Sequence, residues 1–474
     1  MGELKEKTIS GVKWNAISRF SSQGISFIIG LILARLLAPE EYGTIGMVGI
    51  FFAIANTFID SGFGSALIRK ADCSETDYST AFYFNAAVGL LCCIILSIAA
   101  PFIADFFNTP ILSKIIVIMS ICLFIGSLTI VQGIKLTKAI NFKSHAKINI
   151  VSTIISGAVG ITMAYNGFGV WSLLWQGVSA NIIKTISFWY ITKWYPKWTF
   201  SKDSFKYLYG FGSKLFASSL LHTVYNNLAT LIIGKFYTPK DLGFYARGES
   251  MANLPSTNIT GVLQTVTYPI LSKIQHDDNR LIGIYRKYIS ISSLVIFFGM
   301  LLLAALAKPL ILTLFTDKWQ ESIIFLQIFC FALMFDHICQ LNLNLLCVKG
   351  HSDLFLRLEI IKKTISISML VAAIPFGVLA ICISRALYAQ IAIVINTYYT
   401  GKLFGLGYWK QLHDFTRYFL ISIIAVLPAF ILTFAELPHI IVLISGAIIA
   451  IVIYWFLLRK DANLKEIISI IKKK

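Results

Sequence analysis

Charge is scarce in this chain, and acid is the scarcer sign. Asp, Glu, Lys and Arg together make up 14% of the 474 residues, where a soluble domain carries about 25%. With 57% hydrophobic residues and a mean hydropathy of +0.75, the chain cannot hide its apolar surface in a globular core, which points to a bilayer. No Gly-rich loop followed by Lys-Ser/Thr is present, so an ATPase site is excluded. No polar stretch is long enough for an extramembrane enzyme domain. The eight cysteines, Cys73, Cys92, Cys93, Cys122, Cys330, Cys339, Cys347 and Cys382, show no CxxC spacing, which leaves no zinc site. Seven read as lipid-side or packing residues and Cys73 as a cytoplasmic loop thiol. Met1 to Lys13 lacks a small-residue cleavage site, so the first apolar run is expected to be retained as a helix.

Apolar runs of about 20 residues place membrane helices near 14–37, 43–67, 79–104, 111–134, 148–166, 170–192, 207–234, 243–271, 285–307, 320–347, 356–374, 377–400, 416–435 and 438–458. The fold class expected is all-α integral membrane, with about fourteen transmembrane helices. The net charge of +18 sits in short loops between these runs, not on the solvated, aromatic-interleaved surface that nucleic acid requires, so no nucleic-acid partner is expected. With the N-terminus in the cytoplasm, alternate connections hold thirty of the 41 lysines and arginines and the outer connections six. That asymmetry puts both termini in the cytoplasm.

One stretch repeats. Leu31 to Gly43, LILARLLAPEEYG, returns as Leu231 to Gly243, LIIGKFYTPKDLG. Leu31/Leu231, Ile32/Ile232, Pro39/Pro239 and Gly43/Gly243 are identical, while Arg35/Lys235 and Glu41/Asp241 keep their sign. Proline cannot continue a helix interior and glycine tolerates a turn, so each copy marks a helix end and a restart. Six helices separate the copies. An even number gives both the same orientation, so the halves are expected to be related by a pseudo-two-fold along the membrane normal. The domain plan is therefore a six-helix lobe over 1–193, a cytoplasmic linker over 194–206, a second six-helix lobe over 207–400, and a helix pair with a basic tail over 401–474. The linker's Trp194, Tyr195, Pro196 and Trp198 beside lysines suit the headgroup layer.

Five basic residues remain inside spans: Arg19, Lys184, Lys214, Arg247 and Arg385. Each costs roughly 2.5–3.5 kcal/mol near a helix centre, so each needs water or protein around it. Helical spacing picks out polar stripes: Asn15, Arg19, Ser22, Gln23, Ser26 and Gly30 on the first helix; Gly46, Gly49, Ala53, Asn56 and Asp60 on the second; Lys214, Ser218, His222 and Tyr225 or Asn226 on the seventh; Arg247, Ser250 or Met251, Pro255 and Asn258 on the eighth. The simplest packing lets all four line one water-filled cavity between the lobes. Arg19 and Lys214 also read as snorkelling to headgroups, Arg247 as an ion pair with Glu249 or Asp241, Asp60 as a partner of Arg69 or Arg19, and Lys184 and Arg385 as structural. Asp336-His337 is a candidate proton site. A cavity with several cations and few acids suits an anion, since arginine grips phosphate oxygens and lysine supplies an adjustable point charge.

The runs GLILARLLAPEEYG and FIDSGFGSALIRK (58–70), with LIIGKFYTPKDLGFYARGESMANLP and YPILSKIQ (268–275), resemble the two hairpins of Wzx-like polysaccharide transporters. These belong to the multidrug/oligosaccharidyl-lipid/polysaccharide exporter superfamily, and the resemblance extends over nearly the whole chain. It implies a flippase in the bacterial cytoplasmic (inner) membrane. That flippase moves undecaprenyl-pyrophosphate-linked oligosaccharide from the cytoplasmic to the periplasmic leaflet by alternating access, for O-antigen, capsule or exopolysaccharide synthesis. It implies a polysaccharide polymerase and a chain-length regulator as partners, no cofactor beyond H+ or Na+ coupling, and no catalysis. By that likeness Arg19 and Arg247 bind pyrophosphate or sugar, with Lys214, Asn15, Gln23, Asn56, Asp60, His222 and Asn226 around them, and the last two helices help hold the lipid tail. Ion coupling would fall to Asp60, Glu249, Asp336 or His337. Many relatives carry an aspartate after the Asn-rich turn of the seventh helix; here the run is Asn226-Asn227-Leu228. The alternatives are a cation-coupled multidrug or metabolite exporter of the same superfamily, disfavoured by the basic excess, and a membrane polysaccharide polymerase or ligase, disfavoured by the short outer loops.

Overall fold

The computed structural model describes the backbone of residues 2–472, and their side chains except at 2–13, 15, 16, 19, 259, 262–266, 352, 467, 468 and 470–472. It is helical throughout, with no strand among the described residues. The helices are α1 (Gly2–Leu36), α2 (Pro39–Asp60), α3 (Phe63–Arg69), α4 (Glu75–Phe106), α5 (Ile111–Ser127), α6 (Ile130–Lys138), α7 (Phe142–Tyr165), α8 (Val170–Thr192), α9 (Lys202–Phe236) and α10 (Pro239–Lys273). They continue as α11 (Asp278–Ala305), α12 (Ala307–Phe315), α13 (Ser322–Leu333), α14 (Asp336–Val348), α15 (Ser352–Ala373), α16 (Val378–Phe404), α17 (Tyr408–Leu432), α18 (His439–Leu458) and α19 (Ala462–Lys472). The chain divides into two compact units, Met1–Gly243 and Phe244–Lys474.

Among the described residues, nine helices or helix pairs are long and apolar enough to cross a membrane: α2–α3, α4, α5–α6, α7, α11, α13–α14, α16, α17 and α18. Their outward faces are greasy. On α4, Leu90, Leu91, Ile94, Ile95, Ile98 and Phe102 are exposed, and on α18 so are Ile440, Ile441, Ile444, Ile448, Ile451 and Val452. Such patches would drive aggregation in water and are at home against acyl chains. The multi-pass membrane class follows.

Every apolar interval in the sequence falls on a helix, but three are broken. The interval 43–67 splits at Ser61 and Gly62, both in the left-handed region at φ 45° and 71°, where Gly62 also meets the backbone of Gly212 too closely for any Cβ. The interval 111–134 splits at Leu128–Thr129, and 320–347 at Met334–Phe335. The first helix begins at Gly2, well before residue 14.

The Pro-x-x-x-Gly repeat is explained at atomic level. Pro39 and Pro239 each open a helix, where a missing N–H costs nothing. Glu41 turns back to accept the N–H of Ala38. Asp241 does the same for Thr238, accepting from its N–H at 3.1 Å and its hydroxyl at 2.6 Å. The shared acidic position is thus a helix cap in both copies. The two motifs also pack reciprocally: a Cβ on Gly43 would lie 1.7 Å from the Pro239 carbonyl oxygen, and one on Gly243 would lie 2.0 Å from that of Pro39. Only glycine permits the two backbones to come this close.

In the first unit a buried cluster joins Phe63, Leu67, Tyr78, Phe82, Trp194 and Leu208. Trp194 is therefore a core residue and not a headgroup anchor, because its indole N–H has a partner inside, donating to Glu75 at 2.5 Å. Trp198 stays exposed and stacks on Tyr83. In the second unit Tyr245, Tyr285, Phe297, Phe315, Trp319 and Phe329 are fully buried. A dry polar knot ties three of its helices, α11, α14 and α17, to the loop that precedes α17. Gln411 accepts from Asn342 at 2.8 Å and from the Tyr285 hydroxyl at 3.3 Å, and it donates to Asn342 Oδ1 at 2.9 Å and to the Leu406 carbonyl at 2.8 Å.

Candidate functional site

Helix α9, at 35 residues, is longer than the about 20 that one bilayer crossing needs, yet it carries an exposed polar line: Lys214, Ser218, His222 and Asn226, each four residues from the last. That spacing keeps them on one face. Asn226 Nδ2 lies 2.8 Å from His222 Nε2, so the lower half of the line is hydrogen-bonded within itself. An ammonium on an exposed helical face needs water at membrane depth.

Helix α2 runs beside α9. Thr57 and Thr223 share a hydrogen bond at 3.1 Å, and the rings of Phe58 and Phe216 meet edge-on at 4.9 Å. At one end of the pair the contact is Gly62 on Gly212, at the other Gly43 on Pro239 and Gly243 on Pro39. The structure therefore brings Asn56 and Asp60, both exposed on α2, onto the helix adjoining the one that bears Lys214, His222 and Asn226. Asp60 has no ion pair among the described residues; Arg69, one of its expected partners, lies over the ring of Phe211 at 4.6 Å. On α1, Gln23 is half-buried. The side chains of Asn15 and Arg19 lie outside the described residues.

The second unit reassigns the remaining charges. The Arg247 guanidinium stacks over Trp319 at 4.7 Å and Phe315 at 4.9 Å. Its expected partners are engaged elsewhere: Asp241 caps α10, and Glu249 pairs with Arg385. Residues two apart on a helix do not face each other, and the Glu249 carboxylate turns to Arg385. Arg385 also donates to the Tyr245 hydroxyl at 2.8 Å and lies 5.0 Å from the centre of Phe329. Sequence reading set Arg385 aside as structural and missed that its counter-charge is Glu249, 136 positions away. His337 is fully buried, 3.0 Å from the Ser293 hydroxyl and edge-on to Phe297. Asp336 opens α14.

The helical fold has counterparts among solved membrane proteins. It matches the lipid II flippase MurJ in an inward closed conformation at a TM-score of 0.77, with 14% identity over 94% of this chain and 99% of that one. It also matches an inward-facing multidrug resistance MATE family transporter of the MOP superfamily at 0.57, with 12% identity over 84% and 98%. The chain belongs to the polysaccharide biosynthesis protein family, whose model matches residues 32–324. Similar sequences include the lipopolysaccharide biosynthesis protein WzxC of Escherichia coli K12, 24% identical over 83% of this chain and 80% of that protein. The teichuronic acid biosynthesis protein TuaB of Bacillus subtilis 168 is 24% identical over 75% and 74%. The succinoglycan biosynthesis transport protein ExoT of Rhizobium meliloti 1021 is 24% identical over 67% and 64%.

Proposed function

We propose that the protein is a lipid-linked oligosaccharide flippase. It carries undecaprenyl-pyrophosphate-linked repeat units from the cytoplasmic to the periplasmic leaflet by alternating access, for surface polysaccharide synthesis, and it transports without catalysing. The observation that carries this reading is the exposed Lys214–His222–Asn226 line on a helix that is otherwise membrane-like. A pyrophosphate headgroup needs fixed positive charge and hydrogen-bond donors along its path, while its polyprenyl tail stays in lipid. Membership of the polysaccharide biosynthesis family supplies the substrate class.

Fourteen spans are supported by what lowers the hydropathy of the other five long helices. α1, α8, α9, α10 and α15 are 35, 23, 35, 35 and 22 residues long, and each carries polar or charged residues suited to a watered face. With the nine apolar spans they make fourteen. We group them as lobes 1–193 and 207–400, a linker 194–206 and a C-terminal pair 401–474. Both termini would lie in the cytoplasm, an orientation that the lysine distribution supports, in a cytoplasmic (inner) membrane. Lys214, with Arg19 and Arg247, attracts the pyrophosphate. Asn15, Gln23, Asn56, His222 and Asn226 supply neutral hydrogen bonds, and Asp60, with no cation paired to it among the described residues, is the first candidate for H+ or Na+ coupling ahead of Glu249, Asp336 and His337. A polymerase and a chain-length regulator would act on the delivered unit.

The test is genetic. Deleting the gene in its host should abolish surface polymer and accumulate lipid-linked repeat units on the cytoplasmic leaflet, and a plasmid copy should restore polymer while Lys214→Glu should not. Normal surface polymer in the deletion strain would contradict the reading.

A further inference from the structure

Helices α2, α5 and α8 of the first unit line a hollow of about 280 Å³, just below the roughly 300–1,000 Å³ typical of sites for whole small molecules. Phe52, Met119 and Leu174 are among its apolar walls, and no charged side chain lines it. Two carboxamides do: Asn56 from α2 and Asn181 from α8. Each spends one N–H on its own helix, Asn56 on the Phe52 carbonyl at 2.8 Å and Asn181 on the Gly177 carbonyl at 3.3 Å. Each therefore keeps its Oδ1 and a second N–H for another partner. Both are exposed, and exposed carboxamides are costly against acyl chains, which puts the hollow on a watered side of the bundle. Gly177 makes the room, since a Cβ there would meet nothing within 4 Å.

Apolar walls with two neutral donor–acceptor groups match the two faces of a sugar: C–H surfaces that shed water, and hydroxyl or acetamido groups that need partners. A uronic acid or a phosphate would instead be desolvated with no counter-charge on the lining. Charge resumes beyond the hollow, at Asp60 one turn after Asn56 and at Lys184 three residues after Asn181. We propose that this hollow takes one uncharged sugar residue of the lipid-linked saccharide, a neutral hexose or N-acetylhexosamine, with Asn56 and Asn181 as the groups that set its specificity. The proposal rests on the flippase reading above and adds a sugar subsite to it.

Two probes separate the two claims: a polyprenyl pyrophosphate bearing a neutral hexose–N-acetylhexosamine disaccharide, and the same polyprenyl pyrophosphate without sugar. Binding to the purified full chain should be tighter for the first. Asn181→Leu and Gly177→Leu should each weaken that binding by about fivefold to tenfold, the range for one or two net hydrogen bonds, while sugar-free binding stays where it was. Gly177→Leu fills open space and raises helix propensity, and an unshifted melting curve confirms that it folds. A wild type that does not distinguish the probes, or variants that weaken both alike, would overturn the subsite. A leaflet-exposure assay on the same preparation is read separately. Sugar binding with no lipid movement would sink the flippase reading and leave the hollow standing, whereas lipid movement with unchanged sugar affinity in Gly177→Leu would sink the hollow alone.

Discussion

The reciprocal glycine contact gives the sharpest stability prediction. Alanine at position 43 would place a methyl carbon 1.7 Å from the Pro239 carbonyl oxygen and 2.6 Å from its carbon. Carbon and carbonyl oxygen rest no closer than about 3.3 Å, so the α2 and α10 starts would have to part by roughly 1.5 Å. Overpacking of this kind costs about 1–3 kcal/mol; the obstacle is backbone and not a flexible side chain, so the upper end applies. Replacing a helical glycine by alanine returns about 0.5–1 kcal/mol, leaving a net loss of about 2 kcal/mol. Gly243→Ala meets Pro39 in the same way, at 2.0 Å. One separation relieves both clashes, so the double variant should cost less than the sum of the two singles. The control is Gly49→Ala on the same helix, which meets nothing within 4 Å and should be neutral or stabilising. Thermal unfolding of the detergent-purified protein, followed by intrinsic fluorescence, reads all four. If Gly43→Ala melts with Gly49→Ala, the close approach of the two motifs is refuted.

Arg385→Ala leaves Glu249 with no cation. Because both side chains are partly exposed, at 33% and 23%, the cost should be about 1–2 kcal/mol, short of the 3–5 kcal/mol of a fully buried pair, and Glu249→Gln in the same chain should recover part of it in a denaturation series. Gln411→Leu takes the partner from the buried Tyr285 hydroxyl and one of the partners from Asn342, and should lose about 1–3 kcal/mol, read as a lowered unfolding midpoint with no effect on substrate affinity. Asp241→Ala removes a helix cap and should cost about 1 kcal/mol, while Asp241→Asn should cost less. Lys214→Ala and His222→Leu, both on exposed positions of α9, should cut transport at least severalfold at unchanged protein level, whereas a fall in protein level matching the fall in transport would make them structural.

What could be read from the chain was periodic or punctuated. Apolar runs placed the helices because a bilayer demands them, and Pro39, Gly43, Pro239 and Gly243 announced the repeat before its packing was visible. The Lys214–His222–Asn226 line was legible because i, i+4 spacing maps onto one helical face. The helix break at Ser61–Gly62 was not, since a left-handed pair inside an apolar run leaves hydropathy unchanged. The start of α9 at Lys202 was hidden for the opposite reason: Ser201 caps it, and capped polar turns carry no hydropathy signal. Partnerships across the chain were beyond reach. Nothing local in Arg385 names Glu249, and nothing local in Arg247 names the rings of Phe315 and Trp319 that it lies over. Asn181 drew no notice because its partner in the hollow, Asn56, sits on a helix far away in sequence.

The most direct measurement is leaflet exposure of a labelled polyprenyl-pyrophosphate saccharide in liposomes holding the purified protein, with proton or sodium gradients imposed in turn. Exposure should rise well above that of protein-free liposomes and fall back when Lys214 is replaced by Glu. Exposure no faster than in protein-free liposomes under either gradient would contradict the assignment.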